Sequence, residues 1–213
     1  MLLQRLAATI LAGTVSGTLA TRETLRSALR TATDSVHRRL ERGLLLSDPR
    51  LSKADYRQVL AAYYGFYRPL EARLAWVWPA GLDAARLHKR LWLAQDLQEL
   101  GLSACGLAAL PHGEGMPPLR DESEAMGCLY VLEGACLGGQ VLLRSIQPRF
   151  DGEGGFRFLE GYGLETGRMW RNFLSCLNDF QNRDERDQQR LIASAVATFE
   201  TFERWLALRE CLR

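Results

Sequence analysis

The sequence has little from which to build a metal cluster or a disulfide framework. It contains three histidines, with neither the H-E-x-x-H pattern of zinc enzymes nor the paired Glu-x-x-His of di-iron bundles. Its five cysteines are odd in number, widely spaced and free of C-x-x-C, which indicates free thiols in a reducing compartment. His88 and His112 have no acidic or cysteine neighbour at ligand spacing, so we expect them to be solvated or capping residues.

Charge of one sign and long apolar runs are also scarce. The net charge is +2 and no basic stretch is interleaved with aromatic residues, which argues against nucleic acid as a partner. The apolar part of residues 1–20 is short and broken by Gly, Ser and Thr, so a membrane span is excluded. We interpret residues 1–20 as an N-terminal extension rather than a secretory signal, and we expect a cytoplasmic protein.

Strand signals are nearly absent, because no segment alternates apolar and polar residues for long. Helical spacing dominates instead and predicts a single all-α domain over residues 21–213, with about seven helices. Ser52, followed by Asp55, predicts a capped helix start. The predicted helices cover 21–43, 52–78, 87–100, 126–147, 163–180 and 184–212, with a turn at 47–51, a loop at 101–119 and a turn at 151–155.

Three glycines lie close together in the middle of the predicted helix 126–147, although each interior glycine costs about 1 kcal/mol relative to alanine. Gly134 and Gly138 are four residues apart and share a helix face, and Gly139 widens this strip of bare backbone. A flat or bulky group must approach the main chain there. That group is either a ligand plane or another helix packed through small residues.

His37 differs from the other two histidines in its neighbours. Thr33 and Glu41 lie four residues before and after it, so the three side chains share one helix face. Glu41 can orient the second ring nitrogen of a ligating imidazole, or it can simply pair with a half-exposed one. A single histidine ligand suits a macrocycle that supplies the other four bonds to its metal, which is the case for haem.

At these residues the sequence resembles the haem (heme) oxygenases. TDSVHRRLE is similar to the proximal helix of that family, T-x-x-x-H-x-x-x-E, and LEGACLGGQVLLR is similar to its glycine-rich distal helix. The separation of nearly 100 residues and the helical context agree, and the resemblance covers about residues 21–206. The V-L-E-G-x-x-L-G-G run is most similar to the bacterial branch associated with bacteriophytochromes.

The resemblance implies a helical bundle that holds haem between a proximal and a distal helix. His37 would then be the axial iron ligand, with Thr33 and Glu41 on its face. Gly134 and Gly138 would be the distal backbone contacts, with Gly139 beside them.

The resemblance also implies contacts between arginines and the haem propionates, and the sequence departs from the family at one position. Arg171 falls where the family places a basic residue on a haem propionate, and Arg168 or Arg30 could assist because an arginine fork suits a carboxylate. In the animal enzymes an aspartate follows the first distal glycine. Ala135 stands there in this sequence, so any water network must be anchored elsewhere.

The activity implied is oxidative cleavage of haem, as both cofactor and substrate, to biliverdin, ferrous iron and carbon monoxide. It needs dioxygen and electrons from an external reductase or ferredoxin, and the biliverdin would serve a bacteriophytochrome or accompany iron release. Two alternatives stay open. One is a non-catalytic haem- or biliverdin-binding protein on the same fold, and the other is an interaction protein whose glycines only pack helices.

Overall fold

A computed structural model describes residues 24–150 and 153–213 and confirms the all-α prediction. Within these residues there is no named strand, and a lone antiparallel bridge joins Leu44 to Leu212. The α-helices α1 to α8 cover, in chain order, Leu25–Gly43, Lys53–Leu74, Lys89–Glu99, Ala104–Ala108, Glu122–Ile146, Arg157–Glu160, Thr166–Phe180 and Glu185–Leu208. Short 3₁₀ turns cover Leu45–Ser47, Ala84–His88, Gln147–Phe150 and Gly163–Glu165.

Several predicted starts and ends need correction, for local reasons. The predicted loop 101–119 contains α4, because Ser103 caps a short helix by accepting a hydrogen bond from the Gly106 amide. The second long helix ends at Leu74 rather than at residue 78, since the Trp76 and Val77 amides switch to bonds three residues back. The residues predicted as 163–180 begin with a 3₁₀ turn before α7.

Side-chain caps start two of the long helices, and the sequence predicted the first of them. Ser52 and Asp55 form the reciprocal capping box at the start of α2. Asp121 accepts a hydrogen bond from the Glu124 amide at 2.9 Å, which starts α5 four residues before the predicted position of 126. The predicted extension 1–20, the start of the predicted helix 21–43 and the start of the turn 151–155 lie outside the described residues.

The last helix, α8, supports both α1 and α5. Its most extensive packing is against α5, where a Cβ at Gly127 would lie 2.0 Å from the Leu191 carbonyl oxygen. On the other side Arg39 of α1 donates to both carboxylate oxygens of Glu203, at 2.9 and 2.7 Å. The two helices α1 and α5 are therefore both packed against a third helix, α8.

The chain after α8 doubles back onto the end of α1. The prediction that the last helix continues to residue 212 is wrong, because α8 ends at Leu208. The residues that follow α8 pair with the segment after α1. The Leu45 amide donates to the Cys211 carbonyl at 3.1 Å, and the Arg213 amide donates to the Gly43 carbonyl at 2.8 Å.

The segment Glu122–Phe150, which contains α5, is long and apolar enough to cross a membrane by length and composition. In this structure it is the central helix of the core, and its buried residues include Met126, Cys128, Leu129 and Leu132. A buried core helix passes the same test of hydropathy as a membrane span.

Candidate functional site

One large cavity, of about 740 Å³, opens between α1 and α5. Its wall is predominantly apolar, and aromatic side chains of α2, α5, α6, α7 and α8 contribute to it. The aromatic residues that line it are Tyr63, Phe66, Tyr67, Tyr130, Phe158, Trp170, Phe199 and Phe202. A cavity of this size with a few polar groups at its edge is the usual form of a small-molecule site.

His37 stands on the α1 side of the cavity with its side chain 52% exposed. Its Nδ1 lies 3.7 Å from a Glu41 carboxylate oxygen, too far for a direct hydrogen bond but close enough for orientation. The edge of the Phe199 ring faces the imidazole, with ring centres 5.7 Å apart. Because Nδ1 faces Glu41, Nε2 is the nitrogen left to bind a ligand.

Thr33 also lines the cavity, one turn before His37, and is buried. Its hydroxyl donates to the Leu29 carbonyl at 2.8 Å, so this side chain is satisfied within α1. Across the gap on α5, burial raises the pKa of the Tyr130 hydroxyl.

The three glycines of the predicted distal strip do not share one environment. A Cβ added at Gly134 or Gly138 would meet no atom within 4 Å, so bare backbone faces open space at both positions. A Cβ at Gly139 would lie 3.0 Å from the Leu159 carbonyl oxygen, which makes this glycine a contact between α5 and α6. Gly139 borders the cavity as well. The contact of these residues with a ligand stays a prediction.

Arginines surround the cavity, but only one of the three predicted arginines is among them. Arg30 lines it, together with residues that the sequence reasoning missed: Arg26, Arg38 and Arg144. The signal for Arg26 was available, because it lies four residues before Arg30 on the same helix face. Burial lowers the pKa of Arg26, and the nearby Tyr130 hydroxyl raises it.

Arg168 and Arg171 do not line the cavity, and both are exposed on α7, where Arg168 pairs with Glu165. The reason is the rotation of α7 about its axis: Trp170 and Phe173 are buried, and Trp170 takes the place on the cavity wall. The contact of Arg168 and Arg171 with a propionate stays a prediction.

Acidic groups at the cavity come from α1 alone among the described residues. Asp34 and Glu41 are the carboxylates on its wall, and Ala135 lines it on the α5 side. Residues 24–150 and 153–213 contain no group of three or more histidine, cysteine or acidic residues that could hold a metal ion. His37 and the open backbone of Gly134 and Gly138 line the same cavity, an arrangement that suits a flat metallomacrocycle with its own equatorial ligands.

Fold and site together define an all-α protein with a single-histidine, glycine-walled cavity, and comparisons with known proteins agree. The sequence model of the family described as Heme oxygenase matches residues 23–208. The curated relative "Heme oxygenase PigA" from Pseudomonas aeruginosa is 29% identical over 204 residues, 89% of this chain and 94% of the relative. A "Heme oxygenase" from Xanthomonas campestris pv. campestris is 29% identical over 154 residues, 71% of this chain and 88% of the relative.

A solved structure shows the same fold. The NO- and CO-bound heme oxygenase from Neisseria meningitidis superimposes with a TM-score of 0.69 at 24% identity, covering 88% of this chain and 92% of that one. The chain belongs to the heme oxygenase family and is an oxidoreductase of that class. The substrate of this family is haem.

Proposed function

We propose that the protein cleaves haem to biliverdin, ferrous iron and carbon monoxide, using dioxygen and electrons from an external reductase or ferredoxin. One observation carries the proposal: His37 and the open backbone of Gly134 and Gly138 line the same cavity. When bound, haem supplies the iron that activates dioxygen and the ring carbon that is oxidised.

The residues of the chain orient the substrate and control access to it. His37 holds the iron through Nε2, and Glu41 orients the ring from the Nδ1 side. Gly134 and Gly138 leave the space that a planar ring and a small diatomic ligand require, since no side chain extends into it. The aromatic side chains of the cavity wall exclude water from the apolar edge of the ring.

Arginine side chains on the cavity wall bind the two propionates of haem in this proposal. Arg26 and Arg30 stand on α1 and Arg144 stands near the end of α5, so cations lie on both sides of the opening. A guanidinium binds a carboxylate through two parallel hydrogen bonds, which fixes orientation as well as affinity. These contacts would set the rotation of the ring within its own plane.

Addition of haem and a reductant to the purified protein tests the activity. We expect stoichiometric uptake with a Soret band, followed under ascorbate by loss of that band and growth of a biliverdin spectrum. A stable ferrous spectrum would instead support a non-catalytic haem or biliverdin carrier. The observation that favours this second candidate is that residue 135 on the cavity wall is alanine and not an acidic residue.

The product is proposed to serve a bacteriophytochrome in the cytoplasm. The V-L-E-G-x-x-L-G-G run, read here as VLEGACLGG, supports the link to that branch, and five unpaired cysteines support a reducing compartment. Mixing the turnover reaction with an apo-bacteriophytochrome tests the link. Far-red absorbance should develop as the chromophore attaches, and its absence with authentic biliverdin as a working control would contradict it.

A further inference from the structure

A cluster of buried charges lies beside the glycine-rich helix, outside the cavity wall. Its centre is Glu133, which directly precedes Gly134 and is 2% exposed. Arg86 and Lys89, 3% and 1% exposed, both donate to this carboxylate, Lys89 at 2.7 Å from Oε1. The Tyr162 hydroxyl donates to the same oxygen at 2.9 Å. One carboxylate on α5 thus accepts from three donors on other segments.

The cluster fixes α5 relative to the rest of the domain. Arg86 Nη2 donates to the Met169 carbonyl on α7 at 3.0 Å. Lys89 Nζ donates to the Arg86 carbonyl and to the Tyr162 hydroxyl, each at 2.9 Å. Buried ion clusters of this kind are generally no more stabilising than apolar side chains of the same volume, so stability alone does not account for this one.

The charges of the cluster and its neighbours do not cancel. Burial disfavours the charged form of Lys89, but Cys136, Glu133 and Tyr162 outweigh it and raise the Lys89 pKa above its usual range. The next carboxyl, Glu71, has its pKa raised to about 7 by burial, although Lys89 and Arg90 lower it. Within the cluster itself two buried cations, Arg86 and Lys89, face the one carboxylate of Glu133, whereas the Arg90 partner of Glu71 is 44% exposed.

This excess positive charge lies on the side of α5 that faces away from the cavity. Leu132, Gly134 and Ala135 line the cavity, and Glu133 points away from it among them. The charges therefore act across roughly one helix diameter, about 10 Å, through a poorly screened interior. At Gly134 and Gly138 no side chain stands between that backbone and a ligand.

We infer that Arg86 and Lys89 are positioning residues that, through Glu133, hold the distal backbone and impose a positive potential on the glycine side of the cavity. The inference rests on the proposed function, because it takes haem as the occupant. A preorganised positive potential stabilises negative charge that develops on that side during the reaction. It supplies electrostatic assistance where Ala135 offers no acidic side chain.

The midpoint reduction potential of bound haem tests the sign of this field. Positive charge favours the ferrous form, which carries one positive charge fewer. Glu133→Gln removes a negative charge with little change of shape, so it should raise the potential. Lys89→Met removes a positive charge at similar length and should lower it, and the double variant should fall between the two. Lys53→Met, which removes an exposed charge from the surface, is the matched control.

Opposite shifts from the two single variants are the decisive result, because mere loosening of α5 would move both in one direction. Shifts of equal sign, or no larger than that of Lys53→Met, would overturn the inference. Should either single variant fail to fold, Arg86→Met and Tyr162→Phe separate the loss of a positive charge from the loss of a neutral hydrogen bond to the same carboxylate. The first should lower the potential and the second, which changes no charge, should not. A wild-type protein that takes up no haem would instead refute the proposed function.

Discussion

Alanine substitutions at two glycines of α5 should change stability in opposite directions. At Gly134 a Cβ meets no atom within 4 Å, so alanine brings only its higher helix propensity, about 1 kcal/mol. We expect Gly134→Ala to raise the melting temperature of the haem-free protein by about 2–4 °C, the usual equivalent of 1 kcal/mol in a domain of this size. The added methyl group occupies ligand space, so haem affinity should fall.

Gly127→Ala is the matched control on the same helix. There a Cβ would lie 2.0 Å from the Leu191 carbonyl oxygen and 2.9 Å from the Ala195 amide nitrogen, both backbone atoms of α8. An overpacking cost of about 3 kcal/mol, less about 1 kcal/mol of helix propensity, leaves a net loss of about 2 kcal/mol. The melting temperature should therefore fall by about 4–8 °C.

Thermal unfolding by circular dichroism, without and with one equivalent of haem, measures both effects. Haem should raise the melting temperature of Gly134→Ala by less than it raises that of wild type, since the ligand-linked gain depends on affinity. A destabilised haem-free Gly134→Ala would show that the position is not open. Unchanged haem affinity in that variant would show that no ligand approaches its backbone.

Three further predictions concern charged and ligating groups. Burial raises the Glu71 pKa from 4.5 to about 7, so its contribution to stability is present at low pH and is lost as pH rises through that window. In Glu71→Gln this loss is absent. The unfolding free energy of the variant relative to wild type, measured in urea, should therefore increase by up to about 3 kcal/mol as the pH is raised from about 4.5 to about 7.5. A difference that does not change with pH would contradict this. His37→Ala should fold normally, because its side chain is half exposed, but should change the axial ligand field of bound haem, with recovery on adding imidazole; an unaltered spectrum would refute the ligand assignment. Arg30→Gln should weaken haem binding about fivefold, the equivalent of roughly 1 kcal/mol for a partly exposed ion pair, whereas Arg168→Gln, away from the cavity, should not; equal titration curves for the two variants would count against the propionate contact.

The sequence predicted those features that depend on local spacing. The helical class, the cap at Ser52, and the common face of Thr33, His37 and Glu41 follow from patterns within a few residues. The end of α2 was misplaced because apolar residues continue to Trp78, while the backbone turns at Leu74. Apolar spacing describes burial, and it does not determine where the hydrogen-bond ladder stops.

Long-range features of the site could not be predicted in the same way. Arg171 and Arg168 were assigned through the resemblance to the family, but which residues of α7 face the cavity depends on the contacts of α7 with other helices. Likewise, Arg86 and Glu133 are 47 residues apart, and no local pattern indicates that they meet. The division of the glycines into open and packed positions also needs the neighbouring helices, since Gly127 and Gly134 look alike in sequence.

The support of α1 and α5 by α8 has a consequence for redesign. Ser194 of α8 donates to the Glu124 carbonyl at 2.7 Å, and Leu191 and Ala195 fit against Gly127, all away from the mouth of the slot. The volume of the side chains at this contact between α5 and α8 sets the distance between the two helices that border the cavity. Variant libraries designed to accept bulkier macrocycles should therefore change residues at this contact and leave the residues that line the cavity unchanged.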